Sequence, residues 1–158
     1  MHKLEAVEDA RSLMIEAQEW GVWKWLTEKR RVREAADRAN EALDKLEQKI
    51  KRSWCEELKL AYRELEAADR DRDAQHHSRK SDPSIEVSPE IRALARKIKH
   101  AYDTAYDARM RAEQTFADAE SRLSASMARE GTVQAIESWD LKKKAIRKAE
   151  AAMSPKAE

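Results

Sequence analysis

Glycine occurs twice in 158 residues, proline three times, and cysteine and phenylalanine once each. Two glycines cannot supply the tight turns of a β-protein, nor the glycine-rich loop that cradles a phosphate. Cys55 stands alone, which excludes an internal disulfide, and no histidine is placed beside it to activate a thiol nucleophile. No apolar run is long enough for a signal peptide or a membrane span, so the expected setting is a soluble, cytoplasmic one. The metal-binding spacings Glu-x-x-His and His-Glu-x-x-His are missing. Asp73 with His76 or His77 has helical spacing but falls at an expected helix end, where histidines also suit the negative end of the dipole. No catalytic residue, cofactor or metal site is therefore expected, and the protein reads as non-enzymatic.

What is present is charge: 40% of residues are Asp, Glu, Lys or Arg, against about a quarter in ordinary chains. The 32 basic and 31 acidic residues nearly cancel, so no bulk field favours nucleic acid or membrane, and only local patches could. Ala, Glu, Lys, Arg and Leu, all strong helix formers, dominate the rest. The fold class expected is all-α.

Apolar residues recur at helical spacing. Leu4, Val7, Ala10, Met14, Trp25, Val32, Ala39, Leu43, Ile50, Trp54, Ala61 and Leu65 hold one face through residue 21, so Gly21 reads as a point of close approach rather than a break. Ile91, Leu94, Ile98, Ala105, Ala112, Phe116 and Ala119 hold another. Between them only residues 79–88 read as a turn, and Ser88 followed by Pro89 has the form of an N-cap with proline at the first helical position. Gly131 followed by Thr132 suggests a kink. These signals predict a single domain over 1–158: a helix over about 3–78, a turn at 79–88, a helix over about 89–130, a kink at 131 and a helix over 132–153. The two long pieces would form an antiparallel, coiled-coil-like hairpin, with Leu58 facing Ala108 and Leu65 facing Ala101, which dimerises into a four-helix bundle. The alternative is a compact monomer folded back as pieces 3–26, 27–78, 89–130 and 132–153.

Three of the five tryptophans fall at Trp20, Trp23 and Trp25, and a basic run follows. In the hairpin register this stretch would lie beside residues 133–148, giving an open tip with Trp20, Trp23, Lys29, Arg30, Arg31 and Arg33 from one side. Trp139, Lys142, Lys143, Lys144 and Arg147 would come from the other. Tryptophans buried as a local core are the plain reading; as exposed groups they would anchor a partner. The functional expectation is a homodimeric scaffold, adaptor or chaperone-like partner that binds another protein through this tip. The alternative is a nucleic-acid-binding module using the same basic residues. A membrane partner is not expected.

Overall fold

A computed structural model describes residues 4–74 and 87–153, with side chains described to residue 70 in the first of these. The expected turn therefore lies outside the described residues except for Val87 and Ser88, as do the end of the first helix near 78 and the side chains of Asp73, His76 and His77. Among the described residues the chain is all-α, with five helices: α1 (Glu5–Ala17), α2 (Val22–Arg52), α3 (Glu56–Ala74), α4 (Pro89–Arg122) and α5 (Ala125–Ala151).

The helix expected over 3–78 is thus divided twice. The first break contains Gly21, which caps α2 in an extended conformation, and a Cβ built on it meets nothing within 4 Å. Gly21 is a break and not a close approach. The second break, Ser53–Cys55, bends the chain away from α2. Along α3, Glu57, Glu64 and Asp69 meet Ser88, Arg92 and Lys99 of α4 in the same order, so these two helices run in the same sense.

Ser88 caps α4 as expected, its Oγ accepting from Ile91 N at 3.2 Å, with Pro89 in the first turn. The end of α4 comes earlier than expected, at Leu123. This residue takes the left-handed conformation (φ 51°), and Ser124 N donates to Ala119 O at 3.0 Å, the bond pattern of a Schellman cap. Ser124 Oγ then accepts from Met127 N and starts α5. Gly131 does not interrupt the helix; it is buried inside α5, and a Cβ there would fall 2.8 Å from the Phe116 ring. The glycine lets α5 close on α4, and alanines 105, 108, 112 and 119 of α4 and 128 and 135 of α5 are buried in the bundle.

Helices α1 and α4 oppose α2 and α5 in direction. Arg11 pairs with Asp140 at 2.7 Å and Glu8 with Lys143 at 3.3 Å, which sets α1 antiparallel to α5. Asn40, Glu47 and Trp54 meet Trp139, Lys142 and Ala149 in order, which sets α2 parallel to α5. Four helices of one chain thus cover one another's apolar stripes, with α3 laid on the N-terminal half of α4. The expected stripe positions are the ones buried: Val7, Val32, Leu43, Ile98 and Trp25 are 0–1% exposed.

The expected register differs from the observed one. Asp44 pairs with Arg109, where Leu58 was expected to face Ala108, and Lys51 lies over Tyr102, where Leu65 was expected to face Ala101. With the one-residue change of partner on α4 in each pair, the slide is thirteen residues, close to two heptads. A shift close to whole heptads brings nearly the same faces together, which is why periodicity alone cannot exclude it.

Candidate interaction surface

At one end of the bundle four helix termini meet: the C-termini of α1 and α4 and the N-termini of α2 and α5. Trp25 is 1% exposed and stacks on Phe116 with ring centroids 5.5 Å apart and planes 12° apart. Trp20 is buried as well, its carbonyl accepting from Arg129 at 3.4 Å and its ring lying 5.5 Å from Lys24 Nζ. Trp23 differs from both, being 79% exposed in the first turn of α2. The exposed side chain of Leu123 belongs to the same end, carried out by its left-handed backbone.

The expected tip does not assemble as one patch. Trp139 is buried and donates its Nε1–H to Asn40 Oδ1 at 3.0 Å, in mid-bundle. Lys142 and Lys143 reach Asp44, Glu47 and Glu8 instead. Asp44 stands fifteen residues beyond Lys29 on α2, about 22 Å away. Because α5 runs with α2 rather than against it, residues 142–147 are carried to the far half of the bundle. Lys144 and Arg147 are exposed there.

The basic run of α2 is largely matched by acid. Lys29 and Arg33 both reach Glu120 of α4, Arg30 pairs with Glu34 at 3.2 Å, and Arg31 pairs with Glu28 at 3.2 Å. Exposed pairs of this kind contribute little to stability, yet they reduce the charge offered to a phosphate backbone.

Farther along, a polar network that the sequence did not signal sits between α2, α3, α4 and α5. Both carboxylate oxygens of Glu47 are engaged, one by Lys51 and one by Lys142, each at 2.6 Å. Lys51 Nζ lies 4.4 Å from the Tyr62 ring centroid and 4.9 Å from that of Tyr102, and Lys142 lies 5.3 Å from Tyr102. Burial, followed by the field of nearby carboxylates led by Glu47, pushes the Tyr62 phenol well above its usual range. Burial and Glu47 do the same to Tyr102. Glu47, Lys51 and Lys142 satisfy one another in a half-buried setting, a structural use of charge, while the buried Tyr102 hydroxyl has no hydrogen-bond partner among the described residues. Signs of such a network exist in the sequence only as Glu47 and Lys51 one helical turn apart.

Above Trp139, cavities of 220 and 320 Å³ line the gap between α2 and α4, with Arg109 and Asn40 common to both. Arg109 is already taken up by Asp44 and Glu113. Among the described residues no group of three or more His, Cys, Asp or Glu is arranged to hold a metal ion, and no helix is long and apolar enough to cross a membrane. Comparison with protein-family models, curated proteins and solved structures gives no match.

Proposed function

We propose that this protein is a non-enzymatic interaction module, a helical scaffold, adaptor or chaperone-like partner that binds another protein through the bundle end bearing Trp23. The observation that carries the reading is the exposure of Trp23. A tryptophan side chain left 79% exposed on a rigid helix turn forgoes a large burial that a protein partner would restore. Its two neighbours Trp20 and Trp25 are buried, so the position is held by a packed core and is preorganised for docking. The ion pairing of Lys29, Arg30, Arg31 and Arg33 favours a protein contact over a nucleic-acid one at this end. A second copy of the chain is one such protein partner, and light scattering of the wild type and Trp23→Ala tests it by mass.

The test is affinity capture with wild-type protein and with Trp23→Ala. Partners retained by the wild type at raised salt and lost by the variant support the reading; identical capture by both removes it. Retention that disappears steeply with salt would instead favour phosphate contact.

A further inference from the structure

The bend at Ser53–Cys55 opens a concave elbow between the C-terminal turn of α2 and the first three turns of α3. A cavity of 320 Å³ lies in it, lined by Lys51, Arg52, Lys59 and Arg63 with Glu66 as the one acid, and walled by Trp54 and Tyr62. We propose that this elbow is a binding site for a compact phosphate polyanion, gripped by Arg52, Lys59 and Arg63.

Charge is segregated across α3. Glu57 accepts from Ser88 N at 2.7 Å and Glu64 pairs with Arg92 at 3.0 Å, so these acids are committed to α4. Lys59 and Arg63, one turn apart, line the elbow. Lys59 has only an exposed partner, Glu56, at 3.4 Å, and neither Arg52 nor Arg63 has a carboxylate partner among the described residues.

Helix-end electrostatics account for cations in the last turn of α2, where Arg52 Nε also donates to Gln48 O at 3.4 Å. They do not account for Lys59 and Arg63, which stand one turn apart on α3 beyond its two first-turn acids, Glu56 and Glu57. Arg52, Lys59 and Arg63 gathered round the elbow repel one another, and a bound anion relieves that repulsion. Arginine is suited to the role because its planar fork meets phosphate oxygens in pairs.

The walls restrict the ligand to its phosphates. Lys51 already covers the Tyr62 ring, and Trp54 is 4% exposed with its Nε1–H donated to Ala149 O at 2.9 Å. No free aromatic face remains on which a base could stack. The site is independent of the end bearing Trp23.

Titration calorimetry of the full chain with sodium tripolyphosphate at low ionic strength should show saturable binding. Arg52→Gln with Arg63→Gln should weaken it about tenfold or more, since each loses a hydrogen bond to a charged group. Arg96→Gln with Lys97→Gln, which removes two exposed cations of α4, should bind as the wild type does, and so should Trp23→Ala. All five side chains are exposed, and melting curves verify that each variant folds. ATP should bind no more tightly than tripolyphosphate. Absence of saturable heat, or equal loss in both double variants, overturns the proposal; tighter binding of ATP overturns the assignment to phosphate alone.

Discussion

The two ends of the bundle are held together by different chemistry. Where α1, α2, α4 and α5 meet at their termini, Trp25 stacks on Phe116, and Phe116 lies in the space that Gly131 leaves open. Toward α3, Trp54 and Tyr62 pack at 5.4 Å beside lysines, carboxylates and a second buried tyrosine. Apolar contact does not depend on pH, whereas a network of phenols and ion pairs does. Stability should therefore respond to sequence at both ends but to solution conditions mainly at one.

The largest effect is expected at the α3 end. Trp54→Ala removes a buried indole and leaves the Ala149 carbonyl without its donor, at a cost of about 3–5 kcal/mol. Calorimetric unfolding checks it, and an unchanged melt would remove Trp54 from the core. At the opposite end Gly131→Ala should cost about 1–3 kcal/mol, because Phe116 is backed by the stacked Trp25 and has little room to yield. Adding Phe116→Leu should recover part of that loss; strict additivity of the two changes would mean that the close approach is unimportant.

Glu47→Gln distinguishes the ends further. It leaves Lys51 and Lys142 facing each other without the shared carboxylate, for about 1–3 kcal/mol, and the penalty should shrink in high salt. The penalty of Gly131→Ala should not shrink.

Alkaline pH gives a smaller separation. Both phenols have raised pKa values in the folded state, so the proton is held more tightly there than in the unfolded chain. Their stabilising contribution is complete below the ordinary tyrosine value of about 10 and is lost as pH rises above it toward the folded values. Tyr62→Phe with Tyr102→Phe should flatten the fall of melting temperature above pH 10, and an equally steep fall in the variant would assign the alkaline loss to other groups. The smallest effect on folding is expected for Trp23→Ala, within about 0.5 kcal/mol, in contrast to its effect on binding.

Much of the core was legible because helical periodicity reports which face is buried whatever partner buries it. Val7, Met14, Val32, Leu43, Ile50, Trp54, Ile98 and Phe116 were all picked from spacing and are all buried. The two glycines were read the wrong way round. A glycine within an unbroken stripe suggests close packing, and one followed by threonine suggests a cap, yet which one meets an aromatic ring depends on Phe116, fifteen residues before Gly131 and on another helix. The end of α4 carried no glycine signal, since a leucine adopts the left-handed conformation there. Of the candidate site residues, Trp23 lies at the surface as a partner anchor requires. Trp20 and Trp139 are buried by neighbours that local sequence does not name.

The sequence by itself determined that the chain is helical and which stripe of each helix turns inward, because propensity and periodicity act within a few turns. Only the tertiary structure decided where the helices break, which pairs run together and in what register, and so which tryptophan and which cations face solvent. A slide close to two heptads leaves local preferences satisfied, and only the packing of distant side chains separates the alternatives.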